Sequence, residues 1–143
     1  MKAIAIAFIA CGTAVPASAQ SQNNSTFERY QAMERGFDPA VADLYCDNAI
    51  IRNTRTYPDG QQRTLEIPAP KYKQLIRTSM PMAKAKGDYS TYSDIKYSPE
   101  GLNTRINASR YSVLKKYSSP ISILLGPCGD SWGIIEEISQ SQP

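Results

Sequence analysis

The chain contains no histidine. That removes the side chain that titrates nearest neutral pH and the commonest metal ligand. Ser-His-Asp and Cys-His catalysis and the His-containing zinc sites are excluded with it. Acid–base chemistry falls to Asp, Glu, Tyr, Lys or Cys, and no metal or cofactor is expected. Charge of one sign is also lacking: 16 Lys and Arg face 13 Asp and Glu, a formal net charge of +3. A nucleic-acid partner usually requires a strongly basic face, so none is expected. No apolar run reaches the roughly 20 residues needed to span a bilayer as a helix.

Cysteine is scarce, with Cys11, Cys46 and Cys128 only. Cys11 falls in a segment with its own pattern: Lys2, then an apolar run from Ala3 to Val15, then Pro16 and Ala17-Ser18-Ala19. A positive start, an apolar stretch and a small-x-small site form the pattern of a secretory signal peptide, here cut after Ala19. The expected location is periplasmic or secreted. The alternative is lipidation at Cys11, since Phe8-Ile9-Ala10-Cys11 loosely resembles a lipobox. Export leaves Cys46 and Cys128 where thiols oxidise, and they are candidates for a disulfide. Two separate buried thiols are the alternative.

The remaining chain suits one domain with one core. Residues 20–25 are polar and read as a flexible leader, 26–139 as the domain and 140–143 as a tail. Ser25-Thr26-Phe27-Glu28 is a capping box, and Phe27, Tyr30 and Met33 recur at helical spacing, predicting a helix over Thr26 to Arg35. Gly36 stops it. Asp38 caps a second helix with Pro39 at its first position and Val41, Leu44 and Tyr45 as its stripe. Ala49 to Thr56 and Gln62 to Ile67 flank Pro58-Asp59-Gly60 as a hairpin. A third helix opens at Pro70, shows Tyr72, Leu75, Ile76 and Met80, and is ended or kinked by Pro81. Strands follow over Tyr89 to Tyr97, Leu102 to Tyr117, Ile121 to Leu125 and Ser131 to Ser139, with short separators including Ser118-Ser119-Pro120. Short connections imply an antiparallel meander. The fold class is α+β: three helices on a curved, mostly antiparallel six-stranded sheet.

Val41-Ala42-Asp43-Leu44-Tyr45-Cys46-Asp47-Asn48-Ala49-Ile50 resembles the second helix running into the first strand of the NTF2-like superfamily. Trp132-Gly133-Ile134-Ile135-Glu136-Glu137-Ile138-Ser139 resembles that family's last strand. The resemblance covers Thr26 to Ser139 and implies a cone that encloses a cavity, as in SnoaL-like and ketosteroid isomerase-like proteins. It also implies that a homodimer through the sheet is open to this chain. Many enzymatic relatives use a His–Asp pair, which this chain cannot supply. No catalytic residue carries over.

Arg110 stands out because its strand face reads Ile106, Ala108, Arg110, Ser112, Leu114. A strand face turned to the core is normally apolar, so Arg110 is a ligand anchor for a carboxylate or phosphate, one half of an ion pair with Glu136 or Asp94, or an edge residue in solvent. Glu136, on the face Trp132, Ile134, Glu136, Ile138, is either a desolvated carboxylate able to act as general acid or base or a partner for a nearby Arg or Lys, and Glu137 falls on the opposite, solvated face. Tyr30, Tyr45 and Tyr92 are expected either to line the cavity or to pack in the core. The leading functional expectation is an exported, non-catalytic binding module that takes a small molecule or a protein partner. The alternatives are a cofactor-independent isomerase or lyase using Asp or Glu with Tyr, and a periplasmic immunity or inhibitor protein.

Overall fold

A computed structural model describes residues 16–143. The charged and apolar parts of the expected signal peptide, and Cys11 with them, lie outside the described residues.

Helix α1 spans Ala17–Arg35 and so begins well before the capping box. Residues 20–25, expected as a flexible leader, are helical. Their polarity misled because a polar residue occupies the buried stripe. Asn23 is fully buried and lies on the same face as Phe27 and Tyr30. Its amide donates to Thr104 Oγ1 at 2.7 Å and to Leu102 O at 3.3 Å. Its carbonyl accepts from Trp132 Nε1. A buried amide with these partners is satisfied, so the helix can bury it. Thr26, taken as a helix start, donates instead to Gln22 O one turn back at 2.8 Å.

Gly36 ends α1, and Asp38 caps the next element through a bond from Ala40 N at 2.9 Å. That element, Pro39–Leu44, is a 3-10 helix that buries Val41, Ala42 and Leu44. Strand β1, Tyr45–Thr56, and β2, Gln62–Pro68, form the expected hairpin, with Gly60 at φ +82° in its turn. Helix α2 runs Ala69–Lys86 and carries Pro81 inside it. The helix does not end at Pro81. Pro81 sits on the solvent side of a surface helix, where water can serve the carbonyl left without a partner. The helix stops at Gly87, which takes φ +65°, while Asp88 N bonds Ala83 O at 2.9 Å.

Strands β3 (Ser90–Glu100), β4 (Asn103–Ser112), β5 (Tyr117–Cys128) and β6 (Ser131–Ser141) complete the sheet. The expected strand over Leu102 to Tyr117 divides at Val113–Lys116, where Lys116 turns at φ +57° without a glycine to announce it. Ser118-Ser119-Pro120, expected as a separator, lies within β5. The six strands run β2-β1-β6-β5-β4-β3. All neighbours are antiparallel except β1 and β6, which are parallel and join the hairpin to the meander. The helices cover one face. The register sets Ile67, Ile51, Glu137, Ile123 and Ile106 side by side across that face. Phe27, Tyr30, Val41, Leu44 and Ile134 complete the core. Among the described residues, no helix is long and apolar enough to cross a membrane.

Cys46, at the start of β1, and Cys128, at the end of β5, come to disulfide distance with Cα atoms 5.9 Å apart.

Candidate functional site

One bulge decides which glutamate enters the cone. Leu124 pairs with Glu136, but the next residue, Leu125, pairs with Ile134. Ile135 is therefore an extra residue in β6. An extra residue reverses the alternation of side chains beyond it. Ile134 points inward, and three residues on Glu137 does too, with 1% of its surface exposed. Glu136 is turned to the outer face, where its Oε1 accepts from Arg105 Nη1 at 2.8 Å. The expectation of an inward Glu136 and a solvated Glu137 is thus corrected. The strict alternation behind it fails at Ile135.

Around Glu137 the aromatic supply of the chain converges. Tyr45, at the head of β1, donates to Glu137 Oε2, and Tyr72, from the first turns of α2, donates to Oε1 at 3.2 Å. The two rings pack edge to face with centroids 5.3 Å apart. A second carboxylate is clamped in the same way. Tyr30 donates to Glu34 Oε1 at 3.2 Å from one turn earlier on α1, and Tyr92 on β3 donates to Oε2. Tyr30, Tyr45 and Tyr92 are therefore on the inner side of the sheet, as hydrogen-bond donors to the buried Glu137 and the half-buried Glu34. Glu34, Tyr72 and Glu137 were missed. The spacing of Tyr30 and Glu34, four residues apart on a helix, was the available signal for one of them.

Arg110 also lies on the inner face, flanked by Tyr92 on β3 and Ser119 on β5. It pairs with neither Glu136 nor Asp94. Its Nη2 donates to the backbone carbonyl of Gln140 at 3.0 Å. Among the described residues no carboxylate lies within ion-pair distance of it.

Burial sets the protonation of this network. It pushes the Tyr30, Tyr45, Tyr72 and Tyr92 phenols well above their usual 10.0, and the nearby glutamates push further in the same direction. The phenols stay neutral and serve as donors. Burial also raises the Glu34 carboxyl, against the Tyr92 hydrogen bond, which lowers it. For Arg110, burial acts to lower the pKa, but Tyr30, Tyr92, Glu137 and Glu34 outweigh it, so the guanidinium remains charged.

A cleft of about 230 Å³ reaches this network between α2 and the start of β3. Leu75, Ile76, Met80 and Ala83 supply an apolar wall, and Glu34 and Tyr72 stand in it. Each of those two residues therefore touches both the cleft and the buried network. A larger cleft, about 520 Å³, lies beside Cys46 and Cys128. Lys73 in its wall is already bonded to Asp47 at 2.6 Å. Among the described residues no cluster of His, Cys, Asp and Glu is placed to hold a metal.

This geometry belongs to a known architecture. The chain has the NTF2-like fold, also described as cystatin-like. An NTF2-like protein of unknown function from Pseudomonas putida KT2440 matches 90% of this chain and 89% of its own, with TM-score 0.70 and 13% identity. A protein from Streptomyces avermitilis, provisionally assigned as a dehydratase of the NTF2-like family, matches 88% of this chain and 97% of its own, with TM-score 0.61 and 11% identity. A protein of unknown function with a cystatin-like fold from Nostoc punctiforme PCC 73102 matches 90% and 95%, with TM-score 0.61 and 10% identity. No family model matches the sequence, and no curated protein matches it. At these identities the likeness is one of fold, which does not choose a function.

Proposed function

We propose that the chain is an exported binding protein whose cone takes a small, largely apolar molecule. The observation that carries this reading is the cleft between α2 and β3, with Ile76 and Met80 in its wall and Glu34 and Tyr72, which also belong to the phenol–carboxylate network, in its lining. Apolar walls with a few convergent polar groups are the usual make-up of a ligand site. A neutral fluorescent probe such as N-phenyl-1-naphthylamine tests it. The probe brightens on wild-type protein, and Ala83→Phe, which fills the cleft, removes the signal. A signal unchanged by Ala83→Phe sinks the reading.

Export rests on the sequence pattern of residues 1–19 and is supported by Cys46 and Cys128 at disulfide distance. Cleavage after Ala19 removes the first turn of α1 but keeps the Asn23 anchor. The intact mass of protein recovered from the cell envelope is expected to match a chain starting at Gln20. A lipid adduct on Cys11 overturns this.

A second reading, a cofactor-independent isomerase or lyase, draws on one observation. Glu34 stands in the cleft with its carboxyl pKa raised by burial, and a carboxyl exposed to a bound molecule there can act as a general acid or base. Enzyme-dependent deuterium uptake by small ketones in heavy water, lost in Glu34→Gln, supports it. Uptake no faster than buffer alone, across a ketone panel, removes it.

A further inference from the structure

Both carboxylates of the cone are already engaged, each by two phenols. The cation is not. Arg110 bonds one backbone carbonyl through Nη2, and its other donors have no protein acceptor among the described residues. A charge on the inner face of a sheet is normally paired, because desolvating an unpaired ion is costly. Its neighbour across the β4–β5 register is Ser119. Ser119 is only 7% exposed, and its hydroxyl oxygen is buried with no hydrogen-bond partner. Buried polar groups without partners are uncommon. Two adjacent groups on the inner wall therefore keep donors to spare: a guanidinium fork with only Nη2 engaged, on Gln140 O, and a hydroxyl beside it with no partner.

We infer that Arg110 and Ser119 form an anion subsite of the cone, and that the molecule it takes is a monocarboxylate with a small apolar body. The inference rests on the cone being a ligand site. The fork of Arg110 matches both oxygens of a carboxylate, and Ser119 can donate to one of them. A single negative charge fits the site better than two. Glu34 and Glu137 are close enough to act electrostatically on Arg110, so a doubly charged phosphate ester adds repulsion that one guanidinium does not offset. Glu34, which acts electrostatically on Arg110, also stands in the cleft walled by Ile76 and Met80, so that cleft is the side from which an apolar body would approach.

Calorimetric titration with benzoate, benzamide and phenyl phosphate tests the assignment. The amide has the shape of the acid without its charge. Benzoate is expected to bind wild-type protein about tenfold more tightly than either of the others. Arg110→Gln is expected to remove that preference and leave benzamide binding unchanged. Ser119→Ala should weaken benzoate several-fold with the fold intact, and Arg110→Lys should restore part of the preference. Circular dichroism checks each variant, and Ser119→Ala and Arg110→Lys carry the test if Arg110→Gln does not fold. Equal binding of benzoate and benzamide overturns the anion subsite while leaving the cone reading in place. So does a preference for phenyl phosphate, or a benzoate preference that survives Arg110→Gln. If none of the three binds while the neutral probe still enters the cleft, the subsite again falls alone. If the probe also fails, both readings fall.

Discussion

Tyr45 and Tyr72 share one carboxylate. Tyr45 donates to Oε2 of Glu137, and Tyr72 reaches Oε1 at 3.2 Å. The first phenol comes from the head of β1 and the second from α2, so a single β6 side chain ties helix to sheet. Glu137 is almost wholly buried.

Removing the Glu137 carboxylate therefore leaves two buried phenols without acceptors. Glu137→Ala is expected to lower the unfolding free energy by about 2–4 kcal/mol, and Glu137→Gln, which keeps one acceptor, by about half as much. Glu136→Gln breaks only the partly exposed pair with Arg105 and should cost about 1 kcal/mol or less. Urea titration of the three variants measures the contrast. Equal losses at 136 and 137 would mean that the bulge at Ile135 does not set the faces.

The pH dependence follows from Glu34. Burial raises its folded pKa above the usual 4.5, so the folded state holds its proton more tightly than the unfolded chain. Stability from this group is complete below the unfolded value and is lost as pH rises through the folded one. Unfolding free energy should fall with rising pH across that window and then level off. Glu34→Gln should flatten that segment of the curve. Chemical denaturation from pH 4 upward, wild type against variant, reads the difference, and parallel curves would contradict the shift.

The Cys46–Cys128 pair closes a separation of 82 residues and joins the start of β1 to the β5–β6 hairpin. Loss of that cross-link, by reductant or by Cys46→Ser with Cys128→Ser, is expected to cost about 2–4 kcal/mol. Thermal melts with and without dithiothreitol check this. The double variant should no longer respond to reductant.

Asn23 anchors the early part of α1 to β4 and to Trp132. Asn23→Ala leaves the Trp132 N–H and the Leu102 carbonyl without their Asn23 partner, with an expected loss of about 1–3 kcal/mol. Hydrogen exchange should quicken first in residues 20–26. Unchanged protection there would mean that the segment is not held through this side chain.

How far the sequence could be read depended on which rule was in use. Local chemistry read well: Asp38 with Pro39 and the Pro58-Asp59-Gly60 turn each mark a boundary that the structure keeps. These signals succeed because a cap or a positive φ is determined within a few residues. Tyr30, Tyr45 and Tyr92 could be named as interior candidates, but their partners could not, because each bond to a glutamate depends on how the elements pack. Glu136 was misplaced by an alternation rule with no means of seeing the unpaired Ile135.

The sequence by itself determined the order of helices and strands and the lack of imidazole chemistry, and it singled out Arg110 as a charge amid apolar neighbours on its strand face. These follow from periodicity, turn residues and composition, all of which are short-ranged. Only the tertiary structure decided that Glu137 faces inward and Glu136 outward, that Glu34 stands in the cleft, and that Arg110, bonded to Gln140 O alone, sits beside a Ser119 hydroxyl with no partner. The physical reason is strand register. One extra residue in β6 reverses every side chain beyond it, and the pairing that absorbs it is made with a different part of the chain.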